Sequence, residues 1–151
     1  MVQDLDLTPL GIINLAVNKE KDSFSAFAKA AQVCSGLKLR RTLNQLALEE
    51  LRHILRLMEM SEGLSGDPLE VIDLTIPITP SYTELLGQEE EVLGAAIRSE
   101  RESRDFYRNI IDQIPPGGET AEVRQLLQDL IREEEQHEES LKLLTLVKRD
   151  R

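Results

Sequence analysis

Residues 46–57 read LALEELRHILRL. Within them Leu46, Glu50, His53 and Leu57 fall at alternating steps of four and three. That spacing lines side chains along one helical stripe facing the interior of a bundle. Extended both ways, the stripe is Leu39, Leu43, Leu46, Glu50, His53, Leu57 and Met60. A second stretch repeats it as Val123, Leu127, Leu130, Glu134, His137, Leu141 and Leu144. The chain has two histidines, and both sit in a seam three residues after a glutamate.

Two more stripes carry a single glutamate near the middle. One is Ile13, Val17, Glu20, Phe24, Phe27 and Ala31; the other is Leu93, Ala96, Glu100, Ser103, Tyr107, Ile110 and Ile114. Four amphipathic helices follow. Thr8-Pro9 reads as a cap and a first-position proline, starting a helix that runs to about Cys34. Ser35-Gly36 reads as its stop, with glycine suited to a left-handed residue. The second helix is expected from about Leu37 to Glu62, stopping at Gly63. Gly66, Pro68, Pro77 and Pro80 exclude a continuous helix over 64–80. Ser81-Tyr82-Thr83-Glu84 matches a capping box opening the third helix, which ends near Ile114 before Pro115-Pro116-Gly117-Gly118. The fourth starts near Thr120. Short first and third connections make two hairpins, and the long middle one crosses the molecule. The expected fold is all-α: an antiparallel four-helix bundle of two helical hairpins with one long crossover at about 64–81, as a single domain over 1–151.

Composition agrees and narrows the function. The chain of 151 residues is 40% hydrophobic and 30% charged, with 8 glycines and 6 prolines, so it is neither disordered nor collagen-like. One cysteine cannot build a disulfide framework, a zinc ribbon or a rubredoxin-type iron site. A net charge of −10 argues against nucleic acid or an anionic membrane as a partner. Met1–Asp6 is acidic without an apolar run, and no stretch reaches transmembrane length, so a cytoplasmic protein is expected. Cys34 reads as a plain thiol near the first turn.

The four seam glutamates meet at one height. Glu20 lies 16 residues before Gly36 and Glu50 lies 14 after it, about 21–24 Å from that turn at the helical rise. Glu100 and Glu134 each lie 17 residues from Gly117, about 25 Å from theirs by the same rise. Four ionised carboxylates in one core layer are very costly without counter-charge, and two divalent cations balance them. Glutamate and neutral imidazole suit iron, manganese or zinc. One Glu from each of two helices plus Glu-x-x-His from the other two is the arrangement of di-iron and di-manganese carboxylate bundles. The candidate metal ligands are therefore Glu20, Glu50, His53, Glu100, Glu134 and His137. Glu49 and Glu133, four before the histidines, are rival positions; seam spacing favours Glu50 and Glu134. The runs Glu89-Glu90-Glu91 and Glu133-Glu134-Glu135 otherwise read as solvated faces. Glutamate fills 19 of 151 positions, so a glutamate three before both histidines arises by chance in about 2% of such chains. The halves also echo each other: Ala16, Glu20, Ser23 and Phe27 recur as Ala96, Glu100, Ser103 and Tyr107 at an offset of 80, and the Glu-x-x-His pairs at 84. The pattern implies an internal duplication with a pseudo-twofold axis.

Over about Leu10 to Leu144 the sequence resembles the rubrerythrin branch of the ferritin-like superfamily. The motifs are Glu20, Glu50-Leu51-Arg52-His53, Ala96-Ile97-Arg98-Ser99-Glu100 with Phe106-Tyr107, and Glu134-Glu135-Gln136-His137. The resemblance implies Glu20 and Glu100 as terminal ligands, Glu50 and Glu134 as bridges, and one histidine on each of two iron ions. It implies an oxidoreductase that reduces hydrogen peroxide or oxidises ferrous iron with oxygen, commonly as a homodimer. Rubrerythrins proper add a rubredoxin domain; here electrons would come from a separate donor protein. Ser103 stands where many members have an additional glutamate. Tyr107 is the candidate catalytic residue, a hydroxyl beside one half-site, and Phe27 takes the corresponding place in the other half. Small Ser23 and Ser103 would leave room for the oxidant. Iron buffering with little turnover, or a bundle held by a redox-inert metal, are the other functions compatible with the residues.

Overall fold

The computed structural model describes residues 6–67 and 89–149. Four long helices make up almost all of it: α1 (Pro9–Val33), α2 (Leu37–Ser65), α3 (Glu89–Gln113) and α4 (Ala121–Arg149). The expected all-α bundle is what the chain forms. α1 packs against α2 and α3, and α3 against α4. The capping box at Ser81–Glu84 and most of the crossover lie outside the described residues.

The helix ends show which local signals acted. Thr8 caps α1 as expected: its hydroxyl oxygen accepts from the Gly11 N–H at 3.1 Å, ahead of Pro9 in the first turn. Gly36 does not take the left-handed conformation expected of it. Cys34 and Gly36 are both extended, at φ −71° and −73°. The chain leaves α1 by extended residues and re-enters α2 directly, so no positive φ is needed. The stop expected at Gly63 also moves. Gly63 stays helical, and Gly66, at φ 77°, is the left-handed residue. The Gly66 N–H donates to the Glu62 carbonyl at 2.8 Å, closing the helix there. Between α3 and α4, Gly118 supplies the positive φ of 80° and opens a short 3-10 turn, Gly118–Thr120. Arg124 donates to the carbonyls of Ile111 and Ile114, at 3.0 and 3.2 Å. It thereby satisfies acceptors that the end of α3 leaves open.

Two apolar clusters form the core. One gathers Ile13, Val17, Leu57, Tyr107, Ile110, Val123, Leu127 and Leu130. The other gathers Phe24, Phe27, Leu39, Leu43, Leu46, Leu93, Ala96 and Leu141. Cys34 is buried in the second. Along every helix the seam glutamate falls between residues of the two clusters, so a charged layer divides the apolar core. Among the described residues no helix is long and apolar enough to cross a membrane.

Candidate metal centre

All six expected ligands lie in that layer. Glu20, Glu50, Glu100 and Glu134 are at most 1% exposed, and His53 and His137 are buried too. Among the described residues they form two groups: Glu20, Glu50, His53 and Glu134, and Glu50, Glu100, Glu134 and His137. Within each group, one ligand atom per residue lies within 4.8 Å of the others. Glu50 and Glu134 belong to both groups. The imidazoles lie parallel, with centroids 5.8 Å apart and planes 7° from each other.

Both histidines turn Nδ1 inward. His53 Nδ1 is 3.2 Å from Glu20, 3.3 Å from Glu134 and 3.6 Å from Glu50. His137 Nδ1 is 3.2 Å from Glu50 and 3.4 Å from Glu100. The outer nitrogens meet Glu133 and Glu49, the rival positions in the sequence. His53 Nε2 lies 2.8 Å from Glu133 of α4, and His137 Nε2 is hydrogen-bonded to Glu49 of α2. Glu49 and Glu133 are thus outside the inner groups, each against the histidine of the other helix. Arg56 donates to Glu133 at 2.9 Å, so the α2–α4 seam is tied by polar side chains.

Tyr107 is fully buried and donates to Glu20 Oε1 at 2.7 Å, with the Ala16 carbonyl at 3.3 Å. Ser23 and Ser103, expected to leave space beside the terminal glutamates, share a hydrogen bond at 3.2 Å across α1 and α3, and Ser23 also meets Ser99 at 3.1 Å. Sequence reading missed a clamp next to the site. Buried Glu138 accepts from Arg101 and from Arg104, at 2.5 Å for the latter, and so locks α3 to α4. Its signal was available: Glu138 follows His137 directly, and the two arginines follow Glu100 closely.

The electrostatics of this layer call for cations. Burial, then the negative charge of Glu20 and Glu100, pushes the Glu50 carboxyl well above its usual range. Burial also raises Glu100, against the pull of His137. For Glu20, burial works upward, but the neighbouring Glu50 carboxyl and the hydrogen bonds of His53 and Tyr107 outweigh it and leave the group lowered. Burial tends to lower both histidines, yet carboxylate neighbours leave both raised. The buried oxygens Glu50 Oε2 and both oxygens of Glu100 and Glu134 have no hydrogen-bond partner. Unpartnered buried carboxylate oxygens carry the full desolvation cost, which two divalent cations would remove. The donor set, oxygens with two imidazole nitrogens, fits iron, manganese or zinc. From outside, an open groove of about 260 Å³ between α2 and α4 reaches His137, bordered by Thr42, Gln45, Glu49, Gln136 and Ser140.

A helical bundle with two core groups that share two glutamates defines a class of protein suited to a pair of cations. The family model described as "Ferritin-like domain" matches residues 8–149, and the chain belongs to that family. Neither the curated proteins nor the solved structures contain a match to the chain.

Proposed function

We propose that this chain is a non-haem di-iron protein of rubrerythrin-like type, an oxidoreductase reducing hydrogen peroxide or dioxygen as ferrous iron is oxidised. The observation carrying this is the pair of buried groups joined through Glu50 and Glu134. In this reading Glu20, Glu50, His53 and Glu134 would hold one iron and Glu50, Glu100, Glu134 and His137 the other. When bound, two ferrous ions supply one electron each, which with two protons convert one hydrogen peroxide to two waters.

The chain's own work is to hold charge and exclude water. Four carboxylates offset four positive charges, and the apolar clusters on either side keep bulk solvent from the layer. Tyr107 fixes Glu20 through a donated hydrogen bond, so that ligand does not swing freely, and its phenol is placed to quench a stray radical. The groove beside His137 gives a small oxidant an approach. Electrons would come from a separate donor protein in the cytoplasm. The homodimer implied by the resemblance has apolar surface available on α2, where Leu48 and Leu55 are each 56% exposed.

Anaerobic loading with ferrous iron followed by a peroxide pulse tests the proposal. Rapid oxidation of about two irons per chain, in keeping with the two-metal carboxylate arrangement, is expected, and a supplied reductant should sustain turnover. Oxidation no faster than that of iron in buffer would overturn it. Stoichiometric loading without sustained peroxide consumption would point instead to iron buffering.

A further inference from the structure

Three serine hydroxyls form one chain where α1 packs against α3. Ser23 Oγ lies 3.1 Å from Ser99 Oγ and 3.2 Å from Ser103 Oγ. Ser99 is half-buried, while Ser23 and Ser103 are at most 1% exposed, so the chain leads from the surface inward. A hydroxyl has one proton to donate and can accept two hydrogen bonds. Ser23 therefore donates at most one of its two bonds and accepts the other. Ser23 follows Glu20 by three residues and Ser103 follows Glu100 by three, which puts each serine one turn from its glutamate on the same helix face. Both Glu100 oxygens are buried without a hydrogen-bond partner, so the inner end of the chain stands beside unmet polar groups of the layer. Ser23 and Ser103 match each other at the repeat offset of 80, but the residue 80 before Ser99 is Lys19, whose ammonium sits over the Phe106 ring. Thus Ser99, the member outside the repeat, is the one that reaches toward solvent.

We propose that Ser99, Ser23 and Ser103 are a proton relay from solvent to the charged layer. The proposal rests on the peroxide-reducing reading above, in which two protons per hydrogen peroxide have to cross a core closed by the apolar clusters. The α1–α3 contact lies across the bundle from the α2–α4 groove beside His137, so oxidant and protons enter from opposite sides. Ser99 accepts a proton from a solvent acid as it passes its own to Ser23. Ser23 passes its own to Ser103, and Ser103 its own to peroxide in the layer. One O–H bond breaks and one forms at each serine, so every hydroxyl ends neutral and the direction of the chain is reversed; rotation of the hydroxyls resets it. Two passages, with one electron from each of two ferrous ions, turn one hydrogen peroxide into two waters. Serine moves the proton without adding a charge to a layer that already holds four carboxylates.

The first arm of the test needs no metal and no turnover. Carbon-13 spectra of serine Cβ in mixed light and heavy water report how fast each hydroxyl of the full chain exchanges with solvent. Ser99→Val, which fills the place of the hydroxyl with a methyl group, should slow exchange at Ser23 and Ser103 severalfold. Ser99→Thr, of the same shape with the hydroxyl kept, should restore it. The second arm pulses ferrous-loaded protein with peroxide. Ser23→Ala cuts the chain in the middle and should slow iron oxidation by about 10–100-fold, at the lower end of what a positioned proton donor contributes. Ser23→Thr should recover most of the rate. Zinc titration of Ser23→Ala should give the wild-type stoichiometry and affinity, which separates loss of protons from loss of metal. Exchange unchanged in Ser99→Val, or oxidation as fast in Ser23→Ala as in the wild type, would overturn the relay while leaving the two-metal reading intact. Wild-type oxidation no faster than that of iron in buffer would overturn both.

Discussion

Tyr107 shows how one hydroxyl ties the apolar core to the charged layer. It lies in an apolar cluster to which all four helices contribute, yet its oxygen reaches Glu20 at 2.7 Å. A hydrogen bond to a charged, buried acceptor contributes about 1.5–3 kcal/mol. Tyr107→Phe keeps the ring and removes only that bond, so chemical denaturation should show a loss of about 1–3 kcal/mol. A Glu20→Gln, Tyr107→Phe pair should be non-additive, since both changes act on one contact; strict additivity would mean that the hydroxyl does not act through Glu20. The six inner residues were legible because each breaks an apolar seam at a fixed helical height, which is a property of one helix at a time. The contacts of Glu49 and Glu133 with the histidines were not. Their partners are on another helix, and only the lateral register of α2 against α4 decides whether a residue four before one histidine touches the other.

Element boundaries depend on which glycine the backbone needs in the left-handed region. Gly63 and Gly66 offered two ends for α2, and a sequence reading cannot separate them by residue type. The structure places Gly63 inside the helix, with open space where a Cβ would be, and gives Gly66 the positive φ. Gly63→Ala should therefore stabilise the protein by about 0.5–1 kcal/mol, by removing unfolded-state freedom and improving helix propensity. Gly66→Ala should cost about 1–2 kcal/mol, the strain of a side chain in the left-handed region. Thermal melts of the two variants should move in opposite directions, and equal shifts would mean that the helix end is misplaced. Gly36 teaches the converse: a glycine after a helix signals a break, but a short connection of extended residues makes that break without using its freedom.

At the scale of the whole molecule, the charged layer makes stability depend on pH and on metal together. In chelator-treated protein His53 and His137 are raised above 6.5 by their carboxylate neighbours, against burial. A raised group adds stability that is complete below the unfolded value and is lost as pH climbs through the folded one. Glu50 and Glu100, raised above 4.5 chiefly by burial, act in the same sense: the folded state keeps protons that the unfolded chain has released. Glu20 and Glu138 are lowered from 4.5, so their contributions are in place above that value and do not offset the loss near neutrality. The metal-free melting temperature should thus fall as pH rises above about 4.5, and the histidines should add to the fall above about 6.5. Bound cations would oppose that slope, because cations bind deprotonated ligands and displace those protons. With zinc, the rise in melting temperature over the chelated protein should be larger at pH 8 than at pH 6. Calorimetry across this range in chelator and in zinc measures both slopes. A chelated protein that grows steadily more stable between pH 6 and 8, or a zinc effect independent of pH, would mean that protons and cations do not compete for the same carboxylates and imidazoles, and that the layer dividing the core holds its charge by some other means.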